Sequence, residues 1–127
     1  MKPLRTFLVE DNPVISRHLI STLEELGPVQ VIGQARSESQ AVAWLMQPPP
    51  CDLMIIDIVL ASGSGLGVLQ AAQDAGCPMH RVVLTNHATP ALRQRCLALG
   101  ARKVFDKSCE LEALRAWCGE LGHTRAP

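Results

Sequence analysis

The sequence predicts an α/β fold, a doubly wound (βα)5 domain built on one five-stranded parallel sheet. Short β-favouring runs alternate along the chain with segments whose apolar residues recur at helical spacing, and the connections between them are a few residues long. Residues 53–60 are apolar apart from Asp57, as is typical of a strand buried on both faces in the middle of a parallel sheet. Strict alternation of strands and helices predicts helices on both faces of that sheet.

The first half of the chain contains two predicted strand and helix pairs. A strand at residues 6–9 is stopped by the acidic turn 10–12, where Asn12 is predicted to cap a helix with Pro13 as a favourable first residue. A helix follows over 14–26, because isoleucine and leucine recur at helical spacing until a Gly-Pro pair ends the pattern. The second strand is predicted at 29–32. A capping-box pattern that starts at Ser37 then predicts a helix, which three consecutive prolines end.

The second half repeats this alternation after the central strand. A glycine-rich turn leads to a helix over 66–75, and a strand is predicted at 81–85. A Thr-Pro pair begins a helix over 89–99, because Thr is a good cap and Pro a good first residue. A short strand at 104–105 precedes the last helix, which we expect to start at Ser108 with one apolar stripe facing the core.

Length and composition limit the possible functions. The 127 residues predict one domain at 1–121 and a tail at 122–127 that we expect to fray. Twelve basic and twelve acidic residues balance, which argues against direct binding to nucleic acid or to an anionic membrane. No apolar run approaches the roughly 18 residues needed to cross a bilayer. Five widely spaced cysteines without a C-x-x-C pair predict reduced thiols and a cytoplasmic protein.

Charged and polar residues stand at the carboxyl ends of four predicted strands. They are Glu10 and Asp11, Asp57, Thr85 and Lys107. Because the carboxyl ends of parallel strands share one edge of the sheet, we expect one site there. Three carboxylates in one pocket repel each other unless a cation lies between them, and such hard oxygen ligands suit Mg²⁺. Lys107 and Thr85 would then share the charge of a phosphoryl group that a carboxylate oxygen attacks.

The sequence resembles the receiver domain of two-component response regulators over nearly its whole length. The matching motifs are Leu8-Val9-Glu10-Asp11-Asn12-Pro13, Ile56-Asp57 with Gly65 beyond it, Val83-Leu84-Thr85, and Gly100-Ala101 followed by Phe105-Asp106-Lys107. The resemblance implies a flavodoxin-like sheet with strand order 2-1-3-4-5. It also implies that Asp57 accepts a phosphoryl group from a phosphohistidine on a sensor histidine kinase or a phosphotransfer protein.

The resemblance also implies roles for the other site residues. Mg²⁺ would bind the carboxylates of Glu10, Asp11 and Asp57 and the backbone carbonyl of Val59. Thr85 and Lys107 would contact the phosphoryl oxygens, with Asn86 beside Thr85 at a position where the family commonly has a smaller residue.

Three further positions bear on switching and on the lifetime of the phosphoryl group. Val104 stands where many members carry an aromatic ring that turns inward on activation, so we expect weaker coupling through this position. The resemblance implies that Val59 and His87, two residues after Asp57 and two after Thr85, lie at the rim of the site, where side chains influence attack by water on the phosphoryl group. Because Val59 cannot orient a water molecule, we expect slow hydrolysis, with His87 as a charge partner or a solvated residue.

We therefore expect a stand-alone receiver that catalyses only its own phosphoryl transfer and dephosphorylation. It would signal through a protein target on the face formed by the fourth helix, fifth strand and fifth helix, and it could form a homodimer. One alternative is a receiver cut from a longer regulator with a DNA-binding or enzymatic module. A flavodoxin-like binding module or a small phosphatase is a further alternative, although the phosphatase would need an Asp where Val59 stands. Gly63-x-Gly65 follows a strand and precedes a helix, as a dinucleotide-binding loop would. The third glycine of that motif is absent, because position 68 is Val68, and this argues against dinucleotide binding.

Overall fold

The structure is a computed structural model that describes residues 3–26 and 28–124. Strands and helices alternate along these residues. The strands are β1 (Leu4–Val9), β2 (Val29–Ala35), β3 (Leu53–Ile56), β4 (His80–Thr85) and β5 (Lys103–Asp106). The helices are α1 (Pro13–Leu26), α2 (Glu38–Met46), α3 (Gly65–Asp74), α4 (Pro90–Ala98) and α5 (Leu111–Thr124). The predicted alternation of five strands and five helices is confirmed.

All five strands belong to one parallel sheet with the order β2-β1-β3-β4-β5. This is the predicted order. The central strand β3 is buried along its whole length. Because successive residues of a strand point to opposite faces, Met54 and Ile56 join one hydrophobic cluster, while Leu53 and Ile55 join the other. Each face of the sheet therefore has its own core.

The predicted caps at three helix starts are confirmed. Side-chain oxygens of Asn12, Ser37 and Thr89 each accept the backbone N–H three residues further on, at 3.1, 3.2 and 3.2 Å. Such caps satisfy N–H groups that have no partner inside the helix and so fix where the helix begins.

None of the helices in the described ranges combines the length and the apolar character that a membrane span requires.

The central strand is shorter than predicted. β3 ends at Ile56, so the prediction of a strand over 53–60 is wrong, and Asp57 is the first residue beyond it. The chain turns away from the sheet there, because Val59 forms an isolated antiparallel bridge with Ser64 and the carbonyl of Ile58 accepts the N–H of Gly65 at 2.9 Å. The apolar run continues into this loop, and periodicity alone could not mark the end of the strand.

Several other boundaries also differ from the prediction, most of all the end of β2 and the two ends of α5. β2 continues to Ala35 because the long strand β1 supplies pairing partners as far as Val9. The last helix begins at Leu111 and not at Ser108, because the Asp106 carboxylate accepts the N–H of Ser108 at 2.8 Å and holds residues 107–109 in a turn. At the other end α5 includes residues 122–124, while the rest of the tail expected to fray, 125–127, lies outside the described residues.

Candidate functional site

The predicted site residues lie at the carboxyl edge of the sheet. Glu10 follows β1, Asp57 follows β3, Thr85 ends β4 and Lys107 follows β5. Carboxylate oxygens of Glu10, Asp11 and Asp57 lie within 4.8 Å of one another, close enough for one ion to bind all three. The structure therefore brings together the three acidic residues that the sequence singled out.

Lys107 is the cation at the centre of this group. Its Nζ donates to Oε1 of Glu10 at 2.5 Å and to Oδ2 of Asp57 at 2.9 Å. Glu10 is almost fully buried, with its side chain 2% exposed, and the side chains of Lys107 and Asp57 are 12% and 10% exposed. The ammonium group thus neutralises charge where water is largely excluded.

Burial and this pairing shift the pKa values of two groups. Burial raises the pKa of Glu10, although hydrogen bonds from Lys107 and from the backbone of Asn12 oppose the rise. Burial alone would lower the pKa of Lys107, but its hydrogen bonds to Glu10 and Asp57 outweigh that effect and raise it. Lys107 therefore remains charged near neutral pH, while the charge on Glu10 is costly and would be stabilised by a further cation.

Backbone hydrogen bonds fix three site residues at their strand ends. The N–H of Glu10 donates to the Ala35 carbonyl at 3.0 Å, the N–H of Asp57 to the Val9 carbonyl at 2.9 Å, and the N–H of Lys107 to the Thr85 carbonyl at 2.9 Å. Each bond joins the residue to a neighbouring strand. The positions of these side chains are therefore set by the sheet and not by their loops alone.

The remaining predicted residues surround this group. Thr85 is fully buried, and its hydroxyl oxygen accepts the N–H of His87 at 3.2 Å. The side chains of Asn86 and His87 are exposed, and Val59 is 55% exposed, as rim positions would be. Val104 is buried within the sheet. The rim and switch roles of these residues stay predictions.

Gly65 has a structural role that the dinucleotide-loop pattern did not suggest. A Cβ on Gly65 would lie 2.2 Å from the carbonyl oxygen of Asp57, so only glycine fits beside the candidate phosphoacceptor. Gly63 has a φ of 82°, and a Cβ there would lie 2.4 Å from Cβ of Glu38 on α2. Both glycines are explained by close packing.

The fold, the acidic group and the buried lysine define a receiver domain. The family model described as the response regulator receiver domain matches residues 6–118, and the chain belongs to this family.

Known proteins agree with that assignment. The uncharacterized transcriptional regulatory protein YvfU of Bacillus subtilis is 31% identical over 87% of the chain, and the chain spans 55% of that protein's length. The signal receiver domain of the response regulator NarL from Mycobacterium tuberculosis superposes with a TM-score of 0.84 at 20% identity, covering 98% of this chain and all of that one. A response regulator from Burkholderia pseudomallei, crystallised with a phosphorylated aspartic acid, a calcium ion and citrate, has a TM-score of 0.76 at 25% identity over 96% of this chain and 73% of its own.

Changing Gly65 to Ala should destabilise the fold. The added methyl would overlap the Asp57 carbonyl, and overpacking of this kind costs about 1–3 kcal/mol in the free energy of unfolding. The matched control is Gly119→Ala on α5, where a Cβ would have open space and where Ala is the better helix former by about 1 kcal/mol. Urea unfolding of both variants checks this, and a Gly65→Ala variant as stable as the parent would contradict the packing argument.

Proposed function

We propose that Asp57 accepts a phosphoryl group from a phosphohistidine on a sensor histidine kinase or phosphotransfer protein. The observation that supports this most is the position of the Asp57 carboxylate, 2.9 Å from Nζ of Lys107 and within 4.8 Å of two other carboxylates at the carboxyl edge of the sheet. Phosphorylated aspartic acid in the Burkholderia pseudomallei response regulator, a relative at 25% identity, adds support.

The proposed reaction is an in-line displacement. A carboxylate oxygen of Asp57 attacks phosphorus, the bond from phosphorus to the imidazole nitrogen breaks, and its electron pair stays on the nitrogen. Lys107, already charged beside Asp57, stabilises negative charge on the phosphoryl oxygens. The Thr85 hydroxyl is the second proposed contact, because it ends the neighbouring strand at the same edge.

The carboxylates of Glu10, Asp11 and Asp57 would hold Mg²⁺, together with the backbone carbonyl of Val59. Oxygen ligands of this kind suit a small hard cation that retains several waters. When bound, Mg²⁺ supplies positive charge to the attacked phosphoryl group. It also offsets the burial that makes the charge on Glu10 costly.

The domain would act by contact and would have no other enzymatic activity. A protein target would bind the face formed by α4, β5 and α5, called the output face here, since α4 follows Thr85 along the chain and β5 leads to Lys107. A second copy of this chain is a further proposed partner. We place this activity in the cytoplasm, in agreement with five free cysteines.

A receiver joined to an output module is the second candidate. The chain spans about half the length of YvfU, a transcriptional regulatory protein, and this supports the alternative of a longer regulator with a DNA-binding or enzymatic module. The phosphoryl chemistry at Asp57 is the same in both cases. Val59, exposed and apolar beside Asp57, would slow hydrolysis of the phosphoryl group in either, with His87 as the second rim residue.

The proposed function predicts one phosphoacceptor. After incubation with Mg²⁺ and acetyl phosphate, the parent should gain one phosphoryl group in intact mass, because the Asp57 carboxylate is the proposed nucleophile. Asp57→Asn should gain none. The matched control, Asp74→Asn on the exposed end of α3, should be phosphorylated like the parent. Phosphorylation of Asp57→Asn to the same extent as the parent would refute the assignment.

A second experiment tests the metal ligands. Asp11→Ala should weaken Mg²⁺ binding about tenfold or more, because it removes a hard ligand and one negative charge, while Asp74→Ala should leave it unchanged. Titration calorimetry of the unphosphorylated proteins measures both affinities, and equal affinities would count against the ligand set.

The Mg²⁺ affinity of the parent should also depend on pH, because protons compete with the ion at Glu10. Burial raises the pKa of Glu10, so on acidification the affinity should start to fall at a higher pH than it would for a Glu with an ordinary pKa. The same calorimetric titration, repeated over a series of pH values, measures this.

A further inference from the structure

Arg93 on α4 makes contact with three separate segments of the chain. Its Nε donates to the carbonyl of Ala88 at 3.1 Å, Nη1 donates to the carbonyl of Val104 at 2.7 Å, and Nη2 donates to Oε1 of Glu110 at 2.6 Å. These acceptors lie in the loop before α4, in β5, and just before α5. One planar guanidinium on α4 thus contacts β5 and the segments that precede α4 and α5, and its rigid fork suits several acceptors better than a lysine would.

The contact with Glu110 connects Arg93 to the segment that carries Lys107. The same Oε1 of Glu110 also accepts the backbone N–H of Asp106 at 2.8 Å, and the N–H of Glu110 donates to the Asp106 carbonyl at 2.8 Å. Asp106 immediately precedes Lys107, whose Nζ contacts Asp57 at 2.9 Å. Hydrogen bonds therefore connect the Lys107 segment to Glu110, and through Glu110 to Arg93 and α4.

The opposite end of the same connection begins at Thr85. The Thr85 carbonyl accepts the N–H of Lys107 at 2.9 Å, and its hydroxyl accepts the N–H of His87 at 3.2 Å. The next residue, Ala88, supplies a carbonyl to Arg93. The loop after β4 and the segment after β5 are thus linked twice. One link is the hydrogen bond between Thr85 and Lys107 at the site, and the other is Arg93, which contacts both Ala88 and Glu110.

The ion pair between Arg93 and Glu110 is too exposed to be a major source of stability. The side chains of Arg93 and Glu110 are 36% and 35% exposed, and ion pairs at that exposure contribute little to folding. The Val104 contact uses a backbone carbonyl, so it does not depend on the size of the Val104 side chain. This offers a connection between β5 and α4 in a chain that has no aromatic ring at position 104.

We propose that Arg93 is a positioning residue that couples α4 to the segment carrying Lys107, so that a change at Asp57 reaches the output face through Arg93 and Glu110. The inference rests on the proposed phosphorylation of Asp57. Phosphorylation would bias the coupled segments only by favouring one arrangement of them over the other. Arg93 is then needed for transmission and not for phosphoryl uptake.

Hydrogen exchange by mass spectrometry, with and without acetyl phosphate and Mg²⁺, tests the coupling. The variants are Arg93→Lys, which keeps the charge but loses the fork, and Glu110→Gln, which weakens the pair from the other side. The matched control is Arg95→Lys, the same substitution at an exposed position of the same helix. Intact mass establishes how fully each protein is phosphorylated.

In the parent and in Arg95→Lys, phosphorylation should change exchange both in α4 and in residues 103–110. In Arg93→Lys and Glu110→Gln, which should be phosphorylated as fully, the change in 103–110 should remain while the change in α4 falls to less than half. A change in α4 as large as that of the control would overturn the inference and leave the proposed function intact. A phosphorylated parent with no change in α4 would do the same. Absence of phosphorylation in the parent would remove the proposed function and the inference together.

Discussion

The ion pairs between Lys107 and two buried carboxylates are the interaction on which the site depends. Lys107, Glu10 and Asp57 follow three different strands, β5, β1 and β3, so their contacts also tie together strands that are distant in sequence. Without the ammonium group, two largely buried carboxylates would face each other with little water between them. The sheet brings the residues together, and the lysine makes their burial tolerable.

Much of the fold could be predicted because the sequence patterns agree at each level. The alternation of β-favouring runs with helical periodicity predicted ten elements, and capping residues such as Asn12 and Thr89 marked helix starts correctly. Boundaries that depend on contacts between distant residues could not be predicted. β3 ends at Ile56 although the apolar run continues, and β2 extends to Ala35 because β1 offers it partners.

The acidic group was predictable for a topological reason. Polar residues that follow parallel strands must share an edge, so the closeness of Glu10, Asp11 and Asp57 follows from the fold alone. The Arg93 and Glu110 pair was not predictable, since no spacing rule relates a residue on α4 to one that precedes α5. The only sequence signal for this pair was Glu110, an acidic residue near the start of the last helix. Acidic residues are common at such positions because they interact favourably with the helix dipole.

A double-mutant cycle between Lys107 and Glu10 tests the central interaction most directly. The free energy of unfolding in urea would be measured without divalent cations for the parent, Lys107→Gln, Glu10→Gln and the double variant. If the buried pair organises the site, the loss of unfolding free energy caused by Lys107→Gln should be larger by about 1 kcal/mol or more when Glu10 is present than in the Glu10→Gln background. The reason is that Lys107→Gln leaves a buried carboxylate without its partner only in the protein that still has Glu10. Additive effects of the two substitutions would contradict this account.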